Sequence, residues 1–336
     1  SPMFGSGTYQ MEISLMTRHV TFATAGLVLA TLLAGPASAQ TTIKAASIFE
    51  ESQIESQALQ HFADGIAART DGALTVQTYF GTSLGGQQEL NEMLSTDAIQ
   101  LSVHGSAPSD AYLGLFLPYS IADDAHLQKV LESEVGQSWS SDLKDSAGLD
   151  MLAVTIRGDR NTMTTVPVAG VEDLEGLRLR APNIPALIAA VEAMKAEPVI
   201  ISINEVYTGL STGAIEGLEN TLGGMIGYRF YEVAKNVAMT RHALSPVFWL
   251  ANGDWFDGLD ADMQSIVMEE IDKAAAWENE QNAMMAGQWV SQLEEQGVTV
   301  SKVDTDVIRT NAAAFVDEAA TEIWGAEAYQ TIQSLR

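Results

Sequence analysis

From Thr41 onward, short apolar runs of β character alternate with amphipathic helical stretches, and no other feature constrains the fold as tightly. Residues 42–47 read as a strand, and Ala58, Leu59, Phe62 and Ile66 mark one face of a helix that stops at Thr70-Asp71-Gly72. Residues 74–79 are a second strand, Gly81 and Gly85-Gly86 a loop, 87–94 a helix and 99–103 a third strand. This βαβαβ order predicts a mostly parallel sheet covered on both faces. Further strands are expected over 151–156, 162–166, 177–180, 199–203 and 247–250. Helices are expected over 125–135, 185–194 and 205–211, the last capped by Asn204, and a long helical stretch runs from Ala261 toward Glu295.

The first 39 residues stand apart from that pattern. Arg18-His19, an apolar run over 20–33 and Ala37-Ser38-Ala39 together read as a secretory signal peptide cleaved after Ala39. The run falls short of the ~20 residues that cross a bilayer as a helix. Residues 1–10 read as a remnant of expression or an over-extended start, and no function is given to them. Of 336 residues, 297 remain after such a cleavage, enough for the core to divide into two lobes.

Composition excludes several classes of function. The chain has no cysteine, so it has no disulfides, zinc-thiolate site or lipidated N-terminal cysteine. A formal net charge of −27 argues against nucleic acid and anionic membranes as partners, since both require basic patches. An anionic ligand is still compatible with that charge. A contact pair at ~4 Å with an effective dielectric of ~20 gains ~4 kcal/mol, whereas surface charges beyond the ~8 Å Debye length are largely screened. Five scattered histidines and no phosphate-binding glycine loop leave no cofactor or metal to expect, and Asp123-Asp124-Ala125-His126 reads as an acidic helix cap.

The segment over 174–221 carries the chemistry. Arg180 stands at a strand end before Ala181-Pro182, and Glu219-Asn220 stand at another. Open α/β domains bind small molecules at strand ends, and a guanidinium presents a planar fork that matches two carboxylate oxygens. Arg178 alternates to the other face as a solvated or structural arginine. Gly209-Leu210-Ser211-Thr212-Gly213 matches a nucleophile elbow by its letters, but it falls within a helix and not at a strand-to-helix turn.

Several segments, in order, resemble the solute receptors of tripartite ATP-independent periplasmic (TRAP) transporters. Residues 80–90 (FGTSLGGQQEL) look like that family's first-lobe loop. Residues 173–182 (DLEGLRLRAP), 204–213 (NEVYTGLSTG), 215–220 (IEGLEN) and 228–235 (YRFYEVAK) are similar to its second-lobe motifs, the last of them a helix. The resemblance implies an α/β fold of the periplasmic-binding-protein type II kind: two lobes with mixed sheets, hinge crossings and a long helix linking them. Lobe I then comprises 40–157 and 246–285, and lobe II comprises 158–245 and 286–336, with crossings near Arg157-Gly158, Ser245-Pro246 and Met285.

For the site, the resemblance implies that Arg180 forms the salt bridge to a ligand carboxylate and that Asn220 hydrogen-bonds the ligand. Arg160 either clamps the same or a second group or is a surface ion pair with Asp159. Glu219 is expected to orient Arg180. His104 and Ser106, on a first-lobe loop, are either ligand contacts or structural, Glu51 occupies the rim beside Glu50 and Ser52, and Trp249 is either an apolar wall or core. Leu218 and Thr221 replace a glutamine and a proline of the family pattern, which alters the surroundings of Asn220.

The ligand so implied is a small organic acid, first a hydroxylated sugar acid such as a uronate or aldonate, with a C4-dicarboxylate or 2-oxo acid as the alternative. The protein is then a periplasmic monomer serving a permease with small and large membrane subunits. A receptor feeding a sensor and a secreted sugar-acid enzyme using His104 or Ser211 are the other readings.

Overall fold

A computed structural model describes residues 41–336, so the leader and its cleavage point lie outside the described residues. The strands are β1 (Thr41–Ser47), β2 (Leu74–Tyr79), β3 (Leu101–His104), β4 (Leu149–Thr164), β5 (Arg178–Ala181), β6 (Glu197–Ile200), β7 (Gly217–Thr221), β8 (Asn236–Asn252) and β9 (Thr299–Lys302). They form one sheet in the order β2-β1-β3-β8-β4-β7-β5-β6, with β9 also on β8. β1 pairs in parallel with β2 and β3, as the βαβαβ reading predicts. Helix Ile54–Arg69 covers this wing with the expected face of Ala58, Leu59, Phe62 and Ile66.

The centre of the sheet is antiparallel and departs from the expected parallel order. β4 and β8 are 16 and 17 residues long and pair with each other. β3 attaches to the C-terminal part of β8, and β7 attaches to the C-terminal part of β4. The two wings therefore hang from different stretches of one shared strand pair. Each wing packs its own core: one gathers Ile43, Leu101, Phe248 and Ile271, and another gathers Met163, Leu218, Val237 and Leu293.

Between the wings the β4–β8 ladder breaks. Its register shifts between Ile156 and Asp159, where Gly158 has φ +96°, a conformation that a side chain would strain. Opposite stands Pro246, which lacks an N–H and is tolerated at such an irregularity. A third crossing follows helix Ala261–Ala286, which supplies Val267, Ile271 and Ala274 to the first core. It ends at Gly287, and helix Gln288–Glu295 then supplies Leu293 to the second.

Several expectations are corrected. Residues 151–156 and 162–164 belong to the single strand β4, because the chain stays extended through its bulges, and 165–166 lie beyond its end. Only a single turn at Phe230–Glu232 forms where 228–235 promised a helix, and the first half of β8 follows it. Helix Ile203–Thr212 begins before Asn204, with the Ser202 N–H donating to the Glu205 carboxylate at 3.0 Å. The chain end does not stay with lobe II. Trp324 and Ile332 join the first core, and the Ile332 carbonyl meets His126 Nε2 at 2.7 Å. Asp123 caps its helix by accepting the His126 N–H at 2.8 Å. Among the described residues, no helix is long and apolar enough to cross a membrane.

Glu278, on the linking helix, is fully buried. Its carboxyl oxygens accept from Thr155 Oγ1 at 2.5 Å and Trp249 Nε1 at 3.1 Å, tying that helix to β4 and β8. Burial and then the Glu55 charge push its pKa well above the usual carboxylate range, and the two hydrogen bonds only partly oppose them. The folded state therefore prefers a neutral Glu278. That contribution is complete below the ordinary carboxylate pKa and is lost as pH rises through the raised one. Glu278→Gln can keep both bonds, accepting from Trp249 and donating to Thr155. Thermal unfolding followed from pH 5 to 9 should show a falling melting temperature in the parent and a flatter profile in the variant, and parallel profiles would contradict a neutral buried Glu278.

Candidate functional site

Three arginines converge where the wings meet. Arg157 and Arg160 flank the β4 break, and Arg180 comes from β5. They line a cavity of about 50 Å³ together with Asn220, Tyr228 and Ser245. At ~10–15 Å³ per water-sized centre, that space holds a few waters.

The arginines differ in what neutralises them. Arg160 is gripped by Glu219, with Nε to Oε2 at 2.5 Å and Nη2 to Oε1 at 2.7 Å, and its Nη1 donates to Ser245 Oγ at 3.0 Å. Arg157 Nε meets Glu55 Oε1 at 2.6 Å, Nη2 donates to Gln53 Oε1 at 3.2 Å, and the guanidinium lies 4.3 Å from the Phe49 ring centroid. Arg180 is buried, and among the described residues its only hydrogen bond is Nε to the Ile201 carbonyl at 2.9 Å. Both of its Nη groups remain available. Burial, with Arg160 adding repulsion against the favourable Glu219 charge, lowers its pKa to about 10, so it stays charged at neutral pH.

Glu219 is fully buried, and burial alone would raise its carboxyl. The Arg160 charge and the hydrogen bonds from His242 and Arg160 outweigh burial and hold it at about 2. His242 Nε2 lies 3.2 Å from Glu219 Oε2 while Nδ1 faces Thr240 Oγ1 at 2.9 Å. A ring that donates from Nε2 and accepts the Thr240 hydroxyl at Nδ1 satisfies both contacts.

The expected residues are distributed unevenly. Arg180, Arg160 and Asn220 meet at the cavity. Asn220 Oδ1 accepts the Thr221 N–H at 2.8 Å, which orients the amide and leaves Nδ2 as the donor for a ligand. Glu219 engages Arg160 with both oxygens, not Arg180, and this corrects its expected role. Asp159 lies nearest Arg241, at 3.8 Å, so the surface pairing considered for Arg160 does not form.

The first-lobe expectations are corrected further. His104 has no exposed surface, its Nδ1 accepts the Ser106 N–H at 3.3 Å, and burial lowers its pKa to about 3. Gly105 lines the cavity, whereas His104 and Ser106 do not. Glu51 sits on an exposed turn outside the lining, and Trp249 is core, packed edge-on to Phe62. Ser211 is exposed on a helix and donates to the Tyr207 carbonyl at 2.7 Å.

Sequence reasoning missed Arg157 and Tyr228 as site residues. Arg157 had been read only as a crossing point. Tyr228, in the YRFYEVAK segment, donates to the Ile48 carbonyl at 3.2 Å and so bonds the second wing to the first across the cavity. Burial pushes its hydroxyl pKa well up, so it remains a donor.

A guanidinium bonded to no carboxylate among the described residues, buried where two wings meet on shared strands, fits a receptor that encloses a small anion. The chain belongs to the family described as bacterial extracellular solute-binding protein, family 7, which matches residues 45–322. It is 30% identical to the 2,3-diketo-L-gulonate-binding periplasmic protein YiaO of Escherichia coli K12 over 282 residues, covering 82% of this chain and 84% of that protein. The TRAP periplasmic solute-binding protein of Sulfitobacter sp. NAS-14.1, solved with bound α-D-taluronate, has a TM-score of 0.81 at 27% identity, covering 88% of this chain and 98% of that one. The corresponding protein of Roseobacter denitrificans OCh 114, with bound L-galactonate, has a TM-score of 0.80 at 25% identity and the same coverages.

The Tyr228 bond should favour the closed arrangement. Tyr228→Phe removes ~0.5–1.5 kcal/mol, so ligand affinity should fall roughly two- to tenfold with little change in unfolding temperature. Calorimetry showing unchanged affinity would remove Tyr228 from closure.

Proposed function

We propose that the protein is the periplasmic receptor of a TRAP transporter and takes a hydroxylated sugar acid, an aldonate or uronate, into the cavity between its wings. The carrying observation is Arg180, a buried guanidinium whose two Nη groups have no protein partner among the described residues, on a cavity that Gln87, Asn220, Tyr228 and Ser245 share with apolar side chains such as Ile48, Phe116 and Ile184. The donors of Asn220, Tyr228 and Ser245 suit hydroxyls on the same ligand. The relatives that bind diketogulonate, taluronate and galactonate support this ligand class.

The ligand touches both wings and so favours closure by its differential affinity. The closed form then docks on the small and large membrane subunits of a permease. We assign export to the periplasm, with cleavage after Ala39, and action as a monomer. The ligand is released unchanged. Neither Ser211 nor His104 faces the cavity, which speaks against a hydrolase using them.

Thermal-shift screening of aldonates, uronates, dicarboxylates and 2-oxo acids tests this reading. A saturating ligand at ~1,000 times its Kd adds ~4 kcal/mol of stability, which is readily seen. The expected hit is a sugar acid recovered chemically intact. A screen without any acid hit, or a converted ligand, would overturn the proposal. In Arg180→Ala, removal of one partner of a buried ion pair costs ~3–5 kcal/mol, so calorimetry should find affinity down at least ~100-fold with the fold retained. Near-normal affinity in that variant would contradict the assigned role.

A further inference from the structure

A second cavity opens between the wings and shares Arg157 with the first. Its volume is about 320 Å³, within the ~300–1,000 Å³ range of small-molecule sites. One wing supplies Gln53, Ile54 and Glu55 at the start of helix Ile54–Arg69, and the other supplies Ile226 and Gly227. Asn282 and Trp289 complete it from either side of the helix break at Gly287.

This cavity has donors in excess. Gln53 is 6% exposed, and its Oε1 accepts from Arg157 Nη2 at 3.2 Å, which fixes the amide with Nε2 turned away from the guanidinium. That Nε2 is a buried donor without a partner, and so is Asn282 Nδ2. Among the described residues, no buried side-chain acceptor on the lining is left unpaired in the same way. The helix that starts at Ile54 has no side-chain cap, so its first-turn N–H groups add to the excess. Gly227 makes the room that Gln53 fills, since a Cβ there would collide with the amide. Unpaired buried donors cost free energy that an acceptor from outside recovers.

The charge and shape of the lining narrow the class of that acceptor. Glu55 and Arg157 are bonded to each other at 2.6 Å, and Arg229, although bonded to Glu232 beyond the lining, tips its balance positive. Ile54, Ile226 and the Trp289 ring, which lies against Gly223, form an apolar face. From these observations we propose that the second cavity is a binding site for a short aliphatic carboxylate, separate from the site for the transported acid. The carboxylate accepts from Gln53 Nε2 and Asn282 Nδ2, and the alkyl chain lies on the apolar face. An acid seated there touches both wings and so biases their closure.

Propionate is the probe, and Arg180→Ala is the background, because a carboxylate that still binds without the Arg180 guanidinium does so outside the first cavity. Calorimetry and thermal unfolding of that variant should show saturable binding of propionate. Adding Asn282→Asp replaces a donor by a charged acceptor of the same shape and should weaken this binding by ~tenfold or more. Gln53→Glu keeps an acceptor for Arg157 while removing the donor, so it decides the matter if Asn282→Asp does not fold. Arg180→Gln serves as the background if the alanine variant does not.

Folded double variants that bind propionate within about twofold of the background would overturn the proposal, as would a background without saturable binding. Equal stabilisation by sodium chloride at the same ionic strength would overturn the assignment to a carboxylate. None of these outcomes bears on the sugar-acid reading, which the acid screen of the parent tests separately.

Discussion

The buried ion pair between Arg160 and Glu219 is the interaction on which the rest of the site depends. It bonds β4 to β7, holds Ser245 of β8 through the third nitrogen of the guanidinium, and lies beside the ladder break where the wings join. A pair so thoroughly desolvated adds uncertain net stability, because the cost of removing both charges from water rivals their attraction. It cancels one arginine and thereby defines Arg180 as the group that remains to be neutralised.

That division of labour resolves a tension in the composition. A chain with a net charge of −27 binds an anion because the decisive charges are inside, where low dielectric strengthens them and the screened acidic surface has little influence. The same inward arrangement couples binding to motion. Arg160 belongs to a strand shared by both wings, Arg180 belongs to one wing, and Tyr228 reaches from that wing to Ile48 on the other. On the reading proposed above, a ligand that satisfies Arg180 would draw together groups carried by different cores.

Much of the fold was legible in the sequence. The alternation of apolar strands with the Ala58-Leu59-Phe62-Ile66 face marked the first wing, and Gly158 and Pro246 marked the crossings. The antiparallel centre was not legible. β4 reads as two strands because its bulges interrupt the period, and the first half of β8 carries Thr240, Arg241 and His242 where a buried strand would ordinarily show aliphatic residues. Of these, His242 serves Glu219 and Thr240 holds His242, whereas Arg241 is exposed beside Asp159. At the site itself, Arg180 and Asn220 stood out as strand-end polar residues. The partner of Glu219 and the choice between the two readings of His104 were not legible, because sequence spacing gives the strand end but not the side to which a side chain turns or the partner that claims it. Trp249 was ambiguous for the same reason, and burial decides it as core.

In the proposed complex Arg180, the guanidinium bonded to no carboxylate among the described residues, receives the ligand carboxylate while Arg160 stays with Glu219. A crystal structure of the complex with a bound sugar acid tests it most directly. Two carboxylate oxygens are expected within hydrogen-bonding distance of the Arg180 Nη groups, beside an intact Arg160–Glu219 pair. A ligand carboxylate seated on Arg160, with Glu219 swung away, would contradict it.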